Sequence, residues 1–137
     1  MSLITFGEIM LRLTPEKHRT KIYSCNSFNV DYAGSESNVA SSLGVLGNNV
    51  AFVTKLPENQ LGDAAISSLR SYSVNTNAII RGGNRIGTYF IEQGTSIRPS
   101  RVIYDRKNSA FSEIQQNEFN WEDILKGRKW IFYRRIL

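Results

Sequence analysis

Strand-like and helix-like segments alternate along the first 80 residues, and this order most limits the possible folds. A short apolar run ends at Gly7, and a second buried-type strand is predicted for residues 50–56. Helical spacing of apolar residues predicts helices over residues 35–47 and 61–72, and residues 78–80 form a third candidate strand. Such an alternation is typical of a parallel sheet whose strands are joined by right-handed crossover helices.

Two further pairs of segments break this alternation. Apolar and polar residues alternate over residues 9–13 and favour extended structure over residues 22–32. Strands are also predicted over residues 86–92 and 100–105, preceded by Gly82-Gly83 as a hairpin turn. These four segments indicate a small antiparallel sheet that stands off the main one. A short helix over residues 121–126, with Asn120 as its N-cap, and a strand starting at Lys129 complete the prediction.

Composition narrows the class of protein. A chain of 137 residues with 41% apolar residues has the size of one domain and can build a core. No apolar run approaches the roughly 18–20 residues that cross a bilayer, so no membrane association is expected. Cys25 is the one cysteine, which excludes an intrachain disulfide and fits a reducing compartment. We therefore expect a cytoplasmic location.

The net charge of +5 comes from 17 lysines and arginines against 12 acidic residues. The basic residues are spread over three stretches and accompany no nucleic-acid-binding motif. Solvated basic surfaces and a small anionic substrate explain this charge better than nucleic-acid binding, which we do not expect. With one cysteine and one histidine, His18, the sequence has no zinc-ligand spacing.

A glycine-containing segment before the first predicted helix is one candidate site. Gly34 would let a ligand approach the backbone, and the helix start, with Ser35, would offer unpaired N–H groups. Asn38, on the first turn, has an amide that both donates to and accepts from sugar hydroxyls. The alternative is structural: Ser35 or Ser37 would cap the helix and Gly34 would make a turn.

The second candidate site lies on the two later strands. Tyr104 and Arg106 are two residues apart and therefore share a face, and Tyr89 lies on the other strand. A tyrosine hydroxyl beside a guanidinium suits a carboxylate, although ordinary aromatic pairing on an exposed strand gives the same pattern. Glu8 follows a strand and could face the site, but a lone carboxylate is more often exposed or paired. There is no Walker A motif.

In this order the motifs resemble those of the PfkB (ribokinase-like) carbohydrate kinases, and within them the 2-keto-3-deoxygluconate kinases. The resemblance runs from about Leu3 to Trp130. It depends on five segments, whose order and spacing together are specific, namely residues 6–13, 34–40, 61–65, 87–90 and 98–106.

The resemblance implies an α/β fold, the N-terminal part of a ribokinase-like doubly wound sheet with a small antiparallel β-sheet lid. The core would comprise residues 1–8, 33–82 and 108–137, and the lid strands would lie at about 9–32 and 86–106. Family members transfer the γ-phosphoryl group of ATP, with Mg²⁺, to a sugar hydroxyl, and the lid often joins two subunits. The implied partners are a sugar or sugar acid and, through the lid strands, a second copy of the chain. The implied substrate-binding residues are Gly34, Ser35, Asn38, Tyr89, Tyr104 and Arg106.

The sequence departs from the family pattern at two places. Ala33 replaces a glycine, which is a mild change, whereas residues 132–137 replace the small residues that follow the corresponding strand. The ATP site, the glycine-rich anion hole and the catalytic aspartate of the family lie further along. The expectation is therefore a truncated or frameshifted kinase that keeps substrate recognition but holds no catalytic, nucleotide-binding or metal-binding residue and is inactive alone. The alternative is a non-catalytic binding or dimerisation module.

Overall fold

Strands and helices alternate in the structure as the sequence predicts. A computed structural model describes residues 2–134. The nine strands described are β1 (Ser2–Phe6), β2 (Met10–Pro15), β3 (Phe28–Ala33), β4 (Asn49–Val53), β5 (Lys55–Leu56), β6 (Ile80–Arg81), β7 (Thr88–Glu92), β8 (Arg101–Asp105) and β9 (Trp130–Tyr133). The α-helices are α1 (Ser35–Val45), α2 (Gln60–Ser71) and α3 (Trp121–Leu125). Within residues 2–134, none of these helices is long and apolar enough to cross a bilayer.

The main sheet is parallel, with β1 in the centre between β4 and β9. On one face of β1, Leu3 packs with Val50 and Phe52 in the core cluster that also contains residues of α1 and α2. On the other face, Ile4 belongs to a cluster that residues of the α3 region cover. Because β1 is covered on both sides, its successive residues Leu3, Ile4 and Thr5 are all buried rather than alternately buried and exposed.

The predicted strand over residues 50–56 is two strands. β4 ends at Val53, and after Thr54 the chain forms the short strand β5, which pairs in parallel with β6. The candidate strand over residues 78–80 is β6, which begins only at Ile80. A buried apolar run therefore predicts the burial of this segment but not the change of pairing partner within it.

A second sheet has the order β3-β2-β7-β8. The expected antiparallel lid is wrong in one respect, because β2 and β7 run parallel while the two outer pairs are antiparallel. The chain between β2 and β7 passes through β3 and the main body of the protein before it returns. It therefore re-enters beside β2 in the same direction, as a crossover connection does.

Two local predictions are also wrong. The extended segment over residues 22–32 contains a 3₁₀ turn at Ile22–Ser24, and the Ile22 N–H donates to a carboxylate oxygen of Glu92. Gly82-Gly83 is not a hairpin turn, because β6 and β7 belong to different sheets. Both glycines have positive φ, and a Cβ on Gly83 would lie 2.8 Å from the Cα of Ala110. The predicted N-cap at Asn120 is confirmed, since its side-chain oxygen accepts from the Asp123 N–H.

Candidate functional site

A cavity of about 620 Å³ lies between the four-stranded sheet and the start of α1. All six residues that the sequence and the resemblance single out line this one cavity: Gly34, Ser35, Asn38, Tyr89, Tyr104 and Arg106. The other lining residues are Glu8, Met10, Glu36, Ile91, Val102 and Arg134. Segments as far apart in sequence as those of Glu8 and Arg134 therefore meet around one space.

Gly34 connects β3 to α1 and lies against the segment that follows β1. A Cβ at this position would overlap the carbonyl oxygen of Glu8, so only glycine fits without moving backbone. The helix N-cap is Gly34 itself, and no side chain caps it. The Ser37 hydroxyl donates to the carbonyl oxygen of Gly34 at 3.0 Å and is therefore not the cap. The α1 start thus keeps N–H groups that no side chain caps, beside the cavity.

Tyr89, Tyr104 and Arg106 form the opposite wall. Tyr89 and Tyr104 are directly paired across β7 and β8, with ring centroids 5.7 Å apart. The guanidinium carbon of Arg106 lies 5.0 Å from the centroid of the Tyr104 ring. The prediction that Tyr104 and Arg106 share a face is confirmed. The stacking gives the guanidinium a fixed place at the cavity wall, because a cation is attracted to the face of an aromatic ring.

Glu8 faces the candidate site, although its sequence context did not single it out as a site residue. It follows β1, is only 8% exposed, and lines the cavity. Ser109 Oγ donates to Glu8 Oε2 at 2.8 Å, and Arg106 Nη1 lies 3.6 Å from Glu8 Oε1. Its position directly after the first buried strand is the sequence feature that could have predicted this role, because ligands bind beyond the carboxyl ends of strands in open α/β sheets.

A second carboxylate, Glu36, is buried beside Glu8. It is 6% exposed, and its carboxyl group lies so close to Gly7 that a Cβ there would be 2.5 Å away. Burial raises the pKa of Glu8, and the nearby charge of Glu36 raises it further. The hydrogen bond from Ser109 and the charge of Arg106 act in the opposite direction but do not cancel this shift.

The raised pKa makes the stability of the protein depend on pH through Glu8. A carboxyl group with a raised folded-state pKa adds stability below its unfolded pKa, and this is lost as the pH rises through its folded pKa. We expect the unfolding free energy of the wild type, relative to that of Glu8→Gln, to fall over the pH range that begins near the ordinary carboxyl pKa of 4.5. Urea unfolding of both proteins at several pH values measures this difference. A difference that stays constant over this range would contradict the assignment.

Residues 2–134 contain no group of three or more histidine, cysteine, aspartate or glutamate side chains that could hold a metal ion. Glu8 and Glu36 lie near each other, but Arg106 and Ser109 already take both oxygens of Glu8. The carboxylate of Glu8 is therefore engaged by protein groups. The cavity instead combines a guanidinium, hydroxyl and amide groups and aromatic rings, which suits a small polar anion.

Comparison with known proteins identifies relatives of similar geometry. The 2-dehydro-3-deoxygalactonokinase of Haloferax volcanii is 39% identical over 116 residues, which cover 85% of this chain and 36% of the relative. The crystal structure of 2-dehydro-3-deoxygluconokinase from Thermotoga maritima superposes with a TM-score of 0.95 at 53% identity. It covers 97% of this chain and 40% of that one. A PfkB family carbohydrate kinase from Listeria grayi gives a TM-score of 0.91 at 29% identity, covering 96% and 41% of the two chains.

These relatives are much longer than the present chain, which spans about two fifths of their length. The sequence pattern of the pfkB family carbohydrate kinases matches residues 1–129. The chain therefore belongs to the pfkB family of carbohydrate kinases.

Proposed function

We propose that this chain supplies the substrate-recognition part of an ATP-dependent kinase for a sugar acid such as 2-keto-3-deoxygluconate (2-dehydro-3-deoxygluconate). The observation that carries the proposal is the position of Arg106. Its guanidinium is stacked on Tyr104 and opens onto the same cavity as Gly34 and Asn38. A cation at one end and hydroxyl-binding groups at the other match a molecule with one carboxylate and several hydroxyls.

Each wall of the cavity has a separate part in this proposal. The guanidinium of Arg106 would hold the carboxylate through two parallel N–H bonds. Ser35, Asn38 and the first N–H groups of α1 would bind hydroxyls, because together they both donate and accept. Tyr89 and Tyr104 would cover the carbon chain and exclude water. Selectivity between epimers at the hydroxyl-bearing carbons would depend on this hydroxyl-binding wall.

Phosphoryl transfer needs more than substrate recognition. It depends on positioning the nucleotide and the acceptor and on stabilising charge on the moving phosphoryl group. We place the ATP site, the Mg²⁺ site and the catalytic base of the complete enzyme outside residues 2–134, whose cavity lacks a metal-binding cluster. The 137-residue chain would accordingly bind the sugar acid without phosphorylating it.

Isothermal titration of the chain tests the recognition role. We expect saturable binding of 2-keto-3-deoxygluconate and of its galactonate epimer. Binding of 2-deoxyglucose, which lacks the carboxylate, is expected to be weaker by about tenfold or more, since a charge-assisted hydrogen bond contributes about 1.5–3 kcal/mol. A folded chain that binds no sugar acid, or binds both classes equally, would contradict the proposal.

A second candidate function, self-association without catalysis, is favoured by two exposed strand edges. All five residues of β8 are exposed, including Ile103 at 52%. The four residues of β9 are 39% to 63% exposed although all are aromatic or apolar. Unpaired apolar edges such as these promote pairing with another chain.

Light scattering of two matched variants separates these edges. Lysine on an edge strand blocks pairing, so Ile103→Lys on β8 should convert a lid-mediated dimer to monomer, whereas Ile131→Lys on β9 should not. Ile103 and Arg101 lie on the face of β8 opposite to Tyr104, so the variant leaves the cavity wall in place. A wild-type chain that is monomeric at all concentrations would exclude lid-mediated dimerisation. Loss of association only with Ile131→Lys would assign the contact to β9 instead.

A further inference from the structure

Arg106 contacts protein groups on three sides. Glu8 Oε1 lies 3.6 Å from its Nη1, the Tyr104 ring lies under the guanidinium, and Met10 Sδ lies 4.0 Å from Nη1. The arginine side chain nevertheless keeps 37% of its surface exposed, and it lines the cavity. Of its five N–H donors, those turned away from Glu8 are left for a ligand.

The carboxylate behind Arg106 is itself held in place. Ser109, which is 1% exposed, donates its hydroxyl to Glu8 Oε2, and this is a fully buried hydrogen bond. The Ser109 N–H donates to the carbonyl oxygen of Arg106 at 3.1 Å. The backbone N–H of Ser112 donates to Ser109 Oγ at 3.3 Å, which orients the hydroxyl toward Glu8. The turn after β8 therefore connects the arginine to the glutamate by a second route.

The space for this contact comes from Gly87. A Cβ at position 87 would lie 2.5 Å from Glu8 Oε2, 3.1 Å from Arg106 Cβ and 3.2 Å from Met10 Cγ. Three segments, after β1, before β7 and after β8, thus meet at the Glu8–Arg106 pair. A free surface arginine would need none of these arrangements, and it would lose more side-chain entropy on binding a ligand.

We propose that Glu8 is a positioning residue for substrate binding, because its carboxylate, held by Ser109, directs the guanidinium of Arg106 into the cavity. This inference rests on the proposed function and names a determinant of its selectivity for acids. Glu8 would not touch the ligand. It would hold Arg106 in the orientation in which the ligand carboxylate is received.

Simple charge attraction predicts the opposite effect of removing Glu8. Glu8 and Glu36 are both buried beside the cavity, and Arg106 and Arg134 are the cations that line it. If only net charge mattered, Glu8→Gln would remove a negative charge near the ligand carboxylate and tighten binding. Positioning predicts weaker binding, so the sign of the change separates the two accounts.

Isothermal titration of the 137-residue chain with 2-keto-3-deoxygluconate and 2-deoxyglucose tests the inference. We expect Glu8→Gln to weaken binding of the acid about tenfold and to leave binding of the neutral sugar within about twofold. Glu8→Asp keeps the charge but withdraws the carboxylate by one methylene, and Ser109→Ala frees Glu8, so both should weaken binding of the acid. Glu58→Gln removes an exposed carboxylate outside the cavity and is the matched control.

Near-UV circular dichroism shows which variants fold. If Glu8→Gln does not fold, Glu8→Asp or Ser109→Ala is used for the test. Unchanged or tighter binding of the acid by a folded Glu8 variant would overturn the inference while leaving the proposed function in place. An equal loss for acid and neutral sugar would also overturn it, because that pattern indicates general damage to the cavity. Absence of binding by the wild type would overturn both proposals.

Discussion

Gly34→Ala is expected to remove sugar-acid binding and to lower the free energy of unfolding by about 1–3 kcal/mol, the usual cost of overpacking. The added Cβ would overlap the Glu8 carbonyl oxygen and lie 3.3 Å from Ser37 Oγ. To relieve this overlap, the backbone at Glu8 or the backbone at the start of α1 would have to move. A displacement here changes both walls of the cavity at once.

Gly47→Ala is the matched control for this change. Gly47 follows the other end of α1 and has φ +89°, but a Cβ there would meet nothing within 4 Å. Its strain should cost about 1 kcal/mol of stability without altering the cavity. Urea unfolding and isothermal titration of both variants measure the two effects. A Gly34→Ala protein that binds as tightly as the wild type would show that the close approach to Glu8 does not shape the site.

Arg106→Ala is expected to weaken binding of 2-keto-3-deoxygluconate by about 30-fold or more. The guanidinium is the cation stacked on Tyr104 at the cavity wall, and losing a charge-assisted pair costs about 2 kcal/mol. Arg106→Lys should recover only part of the affinity, because an ammonium group keeps the charge but not the planar pair of donors. Binding of 2-deoxyglucose should change little. Isothermal titration measures all three.

Arg101→Ala provides the control for net charge. Arg101 is exposed on the same strand, β8, and is not among the residues that line the cavity. The Arg101→Ala substitution removes one positive charge but keeps Arg106, the proposed partner of the ligand carboxylate. An equal loss of affinity in the Arg101 and Arg106 variants would show that the acid is attracted by the overall charge and not held by Arg106.

Local patterns predicted the elements and the faces of this fold well. Residue spacing indicated the two long helices within two residues of their ends, and the two-residue period placed Tyr104 and Arg106 on one face. The pairing of β2 with β7 was not predictable in this way. This pairing depends on where the chain returns after a long crossover. The residue pattern of neither strand indicates whether its neighbour runs parallel or antiparallel to it.

The candidate site shows the same division. The helix start at Gly34 and the strand residues Tyr89 and Tyr104 have local signatures, and the resemblance to a family gave them a role. Glu8 had only a weak local signature, because its burial depends on Ser109, which is 101 residues away, and on the absence of a side chain at Gly87. Burial and ion pairing are properties of the assembled chain, so a lone carboxylate in the sequence could be read either way.

A kinase assay on a chimera tests the central claim most directly. Residues 2–133 of this chain would replace the matching part of the Thermotoga maritima enzyme, with which it superposes at a TM-score of 0.95. The account predicts ATP-dependent phosphorylation of 2-keto-3-deoxygluconate or its galactonate epimer, and a loss of kcat/KM of about 30-fold or more with Arg106→Ala. A folded chimera that binds ATP but phosphorylates neither acid would contradict the claim that this segment recognises a sugar acid.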